Sequence, residues 1–276
     1  MTMPLVDNLL ATCRTLSRHS SLPRVSHIYT PPPRNKHKKS RKFGLVVLQD
    51  NSTGFFFNLL DDDRRLQQSV IEQMPTDLME LVELYAQPDV GLRALGLGAI
   101  NALSQFFFSS TGFIPDTASN PLGGFDFSPS DHVGMVGFFP GLVSQLQTSG
   151  IPLTVLELDP GLVRQEDRLQ VTLDPRQLND CNKILCTAST LINDTVDDIL
   201  EQCRQADQVA LIGPSTGCIP DPIFDLGITV IGGSLVNDYQ QLESRCNDGL
   251  DWSDAVTKYT MTRQQYPGFE TLLGRF

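Results

Sequence analysis

The sequence predicts an α/β protein in which a small α+β module precedes a doubly wound parallel sheet. Three observations carry that expectation. Between His132 and Gly233 the chain alternates short apolar strands with helical segments. Several of those strands, "KILCTA", "QVALIG" and "ITVIGG" among them, are continuous apolar runs, as suits parallel strands covered on both faces. Ahead of them "STGFIPDTASNPLGGFDFSPSD", Ser110 to Asp131, concentrates Gly, Pro, Ser and Asp, as a boundary between two parts should.

Taken in order, residues 5–18 have the spacing of a short amphipathic helix. "RVSHIY", "KFGLVVLQD" and "TGFFFNLL" read as three strands, the last two joined by a tight "NST" turn. The "TPPPRNKHKKSRK" between the first two reads as an exposed loop. Its cations around Lys36 suit a solvated surface; the alternative is a patch for a phosphate or an acidic partner. From Asp61 to Ser109 the pattern is helical, with Thr76 the expected cap of "TDLMELVELYA" and a longer helix beginning near Asp89. In the second part "HVGMVGFF", "LTVLEL", "KILCTA", "QVALIG" and "ITVIGG" are the strands, with helices at about 140–149, 191–204, 219–226 and 237–246. The expected division is 1–125, 126–250 and a C-terminal tail, 251–276.

Composition narrows the classes of function. The 276 residues are 40% hydrophobic and 19% charged, enough for a proper core. A net charge of −11 disfavours nucleic acid and anionic membranes as partners. Six scattered cysteines without a C-x-x-C pair read as reduced core thiols, not as a disulfide frame or zinc site. The N-terminus lacks the apolar stretch of a signal peptide, and no apolar run approaches the ~20 residues of a membrane span. A cytoplasmic protein is expected.

In an open parallel sheet, ligands bind beyond the carboxyl ends of the strands, near a switch in strand order. The loops leaving the five strands are "FFPG", "ELDPG", "TASTLIND", "GPSTGCIPD" and "GGSLVND". All carry Gly, hydroxyl, amide or carboxylate groups, and their convergence on one edge is the main functional signal. Glu157 closes the second strand, where a carboxylate accepts hydrogen bonds from a ribose or similar diol; a solvated strand end is the plainer reading. Thr187, Ser189, Thr190 and Asn193 offer hydroxyls and an amide to an anion or to their own backbone. Asp194 and Asp197 suit a helix start, with Asn193 a rival cap.

Gly137 and Phe138 form the first turn, but "GMVGFFPG" is not G-x-G-x-x-G, so ordinary NAD binding loses support. "GPSTG" matches G-x-S-x-G, yet all four histidines precede Ser215, against the order of an α/β-hydrolase. Gly213, Ser215 and Thr216 read better as a hydroxyl-lined ligand turn. In the first part, "LGLGAINAL" places Gly96, Gly98 and Ala99 around Asn101. Such small residues cost helix propensity and suggest close approach of another element. A buried Asn101 needs partners, either local backbone or a cleft between the two parts.

These same residues carry a resemblance. "GLGAINAL", "HVGMVGFFPGLV", "LTVLELDP", "TASTLINDTV" and "GPSTGCIPDPIFDLGI" together resemble the putative heavy-metal chelation domain family, from about Ser26 to Leu242. The resemblance implies an enolase-N-terminal-like domain joined to a Rossmann-like domain, with a pocket between them. It also implies a role in condensation or hydrolysis of pterin-, flavin- or siderophore-like chelators in metal homeostasis. Carried over, the site uses Asn101, Glu157, the Ser189–Asn193 loop and Ser215–Thr216. The basic insertion near Lys36 and the tail after Asp251 depart from the pattern.

The functional expectation is therefore a small-molecule enzyme. Glu157 serves as general base or diol acceptor and Asn101 as orienting group, with Gly137, Phe138, Thr187, Ser189, Thr190, Asn193, Gly213, Ser215 and Thr216 around the ligand. Two alternatives stand beside it: a non-catalytic binder of a metal chelate or metabolite, and an S-adenosylmethionine-dependent methyltransferase. Direct metal ligation is not expected, because no His/Cys cluster has ligand spacing. The sequence names no cofactor and leaves a homo-oligomer open.

Overall fold

The structure, a computed structural model, describes residues 3–31, 42–58, 66, 68–117, 124–248 and 250–276. The basic loop around Lys36 lies outside the described residues. α1 (Leu5–His19) leads into an antiparallel meander of β1 (Val25–Tyr29), β2 (Phe43–Leu48) and β3 (Thr53–Phe57). α2 (Gln68–Ile71), α3 (Leu78–Glu83) and α4 (Val90–Thr111) follow. The cap of α3 is Asp77, whose carboxylate accepts from the amides of Met79 and Glu80. Thr76, the expected cap, instead accepts from the Arg24 guanidinium at 2.6 Å. α4 begins where expected, capped by Asp89, whose carboxylate accepts from Leu92 N, and ends on Gly112 in the left-handed conformation (φ 67°).

α4 is buried on most of its circumference. Its small residues permit this, because a Cβ on Gly96 would strike the Tyr85 backbone. The same logic holds on the partner strand: a Cβ on Gly54 would land in the backbone of Gly98 and Ala102. Helix and sheet are therefore in backbone contact, and the helix propensity lost at Gly96 and Gly98 is offset by tertiary packing.

The second part contains β4 (Val133–Val136), α5 (Pro140–Thr148), β5 (Leu153–Leu156), β6 (Arg164–Gln165), β7 (Leu169–Thr172), β8 (Lys183–Thr187), α6 (Val196–Gln202), β9 (Gln208–Ile212), α7 (Asp221–Phe224), β10 (Val230–Val236), α8 (Tyr239–Asn247), β11 (Val256–Thr262) and α9 (Phe269–Leu273). They form one mixed α/β layer system around an eight-stranded sheet of order β11-β10-β9-β8-β4-β5-β7-β6. The six strands from β10 across to β7 are parallel, and β11 and β6 pair antiparallel at the two edges. Counted in chain order, the parallel strands run third, second, first, fourth, fifth, sixth, so the order reverses between β4 and β8. Alternate residues of one strand enter different cores: Ile184 and Cys186 join the helices of the first part, while Leu185 packs with Met135 and Val155. That two-sided burial is why these strands read as unbroken apolar runs.

Three strands have no counterpart in the sequence reading: β6, β7 and β11. The residues after Asp251, set apart there as a tail, supply β11 and α9, and Phe269 and Leu272 are buried in the main core. The expected fifth loop "GGSLVND" also differs. Gly232 lies level with Ile212 at the end of β9, but β10 continues to Val236 against β11. Four further residues carry its loop about 13 Å past the other strand ends.

At the opposite edge, buried Asp131 joins the starts of β4 and β8. It accepts from Ser128 N (2.6 Å), Asn182 Nδ2 (2.8 Å) and Lys183 Nζ (3.0 Å). Burial alone would raise its pKa; the hydrogen bonds from Ser128, Asn182 and Lys183 outweigh that and hold it well below the usual carboxylate range. The folded value is depressed, so the stability Asp131 contributes is fully present above the ordinary carboxylate range. It is lost as pH falls toward the folded value. Asp131→Asn is expected to destabilise the protein at neutral pH by roughly 1.5–3 kcal/mol. Urea denaturation should show the gap to wild type narrowing once pH drops below about 4.

Candidate functional site

The strand ends at the reversal of order place four turns side by side. β4 ends level with Leu156 of β5 and Cys186 of β8, and Thr187 of β8 is level with Ile212 of β9. Gly137 follows β4 at φ 86°, and a Cβ there would meet the Thr187 side chain at 3.2 Å. Gly213 (φ 143°) comes as close to Ala188. Only glycine lets these turns approach in those backbone conformations.

Glu157 ties the first two turns together. Its Oε1 accepts from Phe138 N at 2.7 Å, and its Oε2 from Leu158 N at 2.7 Å and Asp159 N at 3.4 Å. A carboxylate has about four acceptor sites, so roughly one is left for a ligand. The Arg164 guanidinium lies 5.0 Å over the Phe138 ring and pairs with Glu166 at 2.8 Å. Sequence reasoning missed Arg164. The alternation in "VRQEDRLQVT" would have signalled the β6–β7 hairpin that presents it. α5 begins beside it with Phe139 as N-cap and no side-chain bond to its first amides.

The turn after β8 uses most of its polar groups on itself. Residues 188–191 form one 3₁₀ turn capped by Thr187, whose Oγ1 accepts from Ser189 N at 3.3 Å. Thr190 Oγ1 donates to Thr187 O (2.8 Å), and Asn193 meets Thr195 Oγ1 (2.7 Å). Turned the other way, the Asn193 amide also donates to the Ser189 and Thr190 carbonyls. Thr195 is the N-cap of α6, and neither Asn193 nor Asp194 caps it. Asp194 takes a left-handed conformation (φ 62°) and pairs with Arg93 of α4 at 3.2 Å. Partial burial first, then the carboxylates of Asp194, Asp198 and Glu201, raise the pKa of Asp197 in the first turn of α6.

α4 and the turn before it cover the rest of the edge. Tyr85 Oη donates to Leu191 O at 2.8 Å, and burial pushes its pKa up. Asn101 Nδ2 donates to Phe55 O (2.8 Å) and to Ser215 O (3.0 Å), bracing β3 to the turn after β9. Ser104 Oγ accepts from Ile219 N at 3.0 Å. Asn101 Oδ1 is buried without a partner, beside a void of about 10 Å³ next to Gly217, room for about one water.

The predicted site residues thus fall into two groups. Asn101, Thr190, Ser215 and Thr216 are at most 3% exposed under α4, and Thr216 Oγ1 donates to the carbonyls of Gly213 and Gly232. Gly137, Phe138, Glu157, Thr187, Ser189, Asn193 and Gly213 retain surface toward solvent. Asn101 is thus covered, whereas Glu157 keeps surface toward solvent. Among the described residues no group of three or more His, Cys, Asp and Glu could hold a metal ion. All six cysteines are buried, and burial pushes Cys186, Cys203 and Cys218 up to about 12.

Residues 120–263 match the model of the family described as "putative heavy-metal chelation". The chain belongs to this family. The match runs past Asp251 as far as Arg263 and takes in β11, so the expected departure is corrected for that strand. An uncharacterised protein of Methanocaldococcus jannaschii is 25% identical over 226 residues, 79% of this chain and 86% of the relative. Two crystal structures of family members of unknown function share the fold. That from Pyrococcus horikoshii has a TM-score of 0.68 at 17% identity, covering 92% of this chain and 99% of its own. That from Desulfitobacterium hafniense has a TM-score of 0.69 at 19% identity, covering 94% and 98%. Among the described residues no helix is long and apolar enough to cross a membrane.

Replacing Asn101 with Ala strips the donor from two buried carbonyls, those of Phe55 and Ser215. We expect a loss of roughly 1–3 kcal/mol in denaturant-unfolding stability. Unaltered stability would mean that the two parts are not braced through this amide.

Proposed function

We propose that the protein binds a polar small molecule, of the metal-chelate class that its family's description suggests, over the exposed half of the strand edge. The observation that carries this reading is the packing of Gly137 on Thr187 and of Gly213 on Ala188 at the reversal of strand order. Doubly wound sheets bind ligands at that position. Supporting it are the uncapped start of α5, suited to an anionic group, and the single acceptor site left on Glu157 for a hydroxyl. In this reading residues 126–250 form a Rossmann-like domain and residues 1–125 an enolase-N-terminal-like domain that braces it, with 251–276 completing the sheet.

Binding without chemistry is preferred to catalysis because Glu157 and Asn101 are separately engaged, Glu157 by the amides of Phe138, Leu158 and Asp159 and Asn101 by the carbonyls of Phe55 and Ser215. Condensation or hydrolysis of a pterin-, flavin- or siderophore-like chelator is the second reading, favoured by the residual acceptor site on Glu157. An S-adenosylmethionine-dependent methyltransferase is less well supported, since Phe138, Phe139 and Pro140 fill the first turn.

Thermal-shift measurements with pterins, flavins, siderophore-type chelates with and without metal, and S-adenosylmethionine test the proposal. A ligand at 100 times its Kd stabilises the folded state by about 2.7 kcal/mol. Ser189→Ala should weaken the binder by roughly 2- to 10-fold, and Gly137→Val should abolish the shift. If none of these classes shifts the transition, or both variants respond like wild type, the site is elsewhere. Turnover of the bound ligand would favour the second reading.

A further inference from the structure

A second concavity lies away from the strand edge, where β1 and β2 of the first part face α8 of the second. It is a cavity of about 340 Å³ lined by His27, Tyr29, Leu45, Tyr239, Glu243 and Cys246, among others. That volume is within the range of small-ligand sites. Three side chains converge on one wall. Tyr239 and Glu243 stand one turn apart on α8, with Tyr239 Oη donating to Glu243 Oε1 at 2.7 Å. Across the junction, His27 Nε2 lies 3.2 Å from Tyr239 Oη and 3.4 Å from Glu243 Oε1.

His27 reaches this position because of a local irregularity. The register of β1 on β2 shifts between Val25 and His27. Such a bulge turns a side chain that regular alternation would send elsewhere. On α8, the Asp238 carboxylate caps the helix by accepting from Gln241 N at 2.9 Å, fixing where Tyr239 and Glu243 begin.

We propose that His27, Tyr239 and Glu243 ligate a transition-metal ion, whose remaining coordination positions open into the cavity for an exogenous chelator. The geometry is the first reason. Metal–nitrogen and metal–oxygen bonds of about 2.0–2.2 Å set neighbouring donors roughly 3.0–3.6 Å apart for octahedral to tetrahedral arrangements. Both His27 distances fall in that interval, and only the Tyr239–Glu243 hydrogen bond must lengthen. The donor set is the second reason. One imidazole with two anionic oxygens suits a ferric ion, since hard oxygen donors match its charge and imidazole ligates iron readily.

Tyr239 Oη now donates its proton to Glu243 Oε1; on ligation the phenol releases that proton to solvent and binds the cation as phenolate. Three protein donors leave open positions, and the room beside them exceeds what a bare ion needs. The site is separate from the strand edge and stands whether or not that edge binds anything.

Titration of the full chain with ferric nitrilotriacetate tests the proposal through the visible phenolate-to-iron charge-transfer band. Wild type should develop the band to saturation at one equivalent. Tyr239→Phe should lack it while keeping an unchanged circular dichroism spectrum, because ring packing is preserved. His27→Gln and Glu243→Gln should each weaken iron retention by at least about tenfold. No band in wild type, an undiminished band in Tyr239→Phe, or unchanged retention in both other variants would overturn the assignment.

Discussion

The structure depends on one close approach, that of β3 to α4. Gly54 brings the strand backbone against Gly98 and Ala102, nearer than any side chain would allow. The approach lets one amide, Asn101 Nδ2, reach both the Phe55 carbonyl of β3 and the Ser215 carbonyl of the turn after β9. Two buried carbonyls from different parts of the chain share that donor. The penalty for leaving either bare exceeds what a single exposed hydrogen bond contributes. α4 is held along the strand edge as a consequence. Arg93 to Asp194, Tyr85 to Leu191 and Ser104 to Ile219 follow from its placement.

That placement divides the edge of the sheet. Beyond β9 and the far side of the β8 turn, the polar groups are covered and spent on backbone: Thr190 on Thr187, Thr216 on Gly213 and Gly232. Around β4, β5 and the near side of β8 the edge stays open. The crowding of hydroxyls in "TASTLIND" thus has mostly a structural cause. A 3₁₀ turn and a helix separated by only residues 192–195 leave several amides and carbonyls without regular partners, and the hydroxyls supply them.

The parallel strands were legible because burial on both faces leaves no polar alternation to confuse the reading. β7 and β11 were not, for opposite reasons. β7 alternates as "LQVT" with Gln170 and Thr172 only half buried, and no α-helix separates it from β5. β11, "VTKYTMT", is a polar edge strand whose pairing with β10 is fixed by chain distant in sequence. Asn101 was legible as unusual from its small neighbours. Its direction was not, because a helical wheel places a residue on a face without saying which carbonyls that face will meet. Asp194 misled for a related reason: a carboxylate just before a helix suits a cap, but Arg93 drew it into an ion pair that only tertiary contact could reveal.

The residues after Asp251 determine where the two parts meet a second time. Pairing with β11 extends β10 to Val236, and Ala255 O accepts from Asn237 N and Asp238 N. α8 therefore starts well beyond the other strand ends, level with the meander. Trp252 completes the junction, stacked on Phe55 at 5.1 Å and edge-on to Phe43 at 6.4 Å, while Leu242 and Cys246 pack with Leu45 and Val47. Contact along this seam is apolar at its Trp252 end and polar where His27 meets Tyr239 and Glu243. Without β11, α8 would have no reason to stand opposite β1, and the three donors would share no wall. The segment that sequence reasoning set aside as a tail is thus what aligns a strand of the first part with a helix of the second.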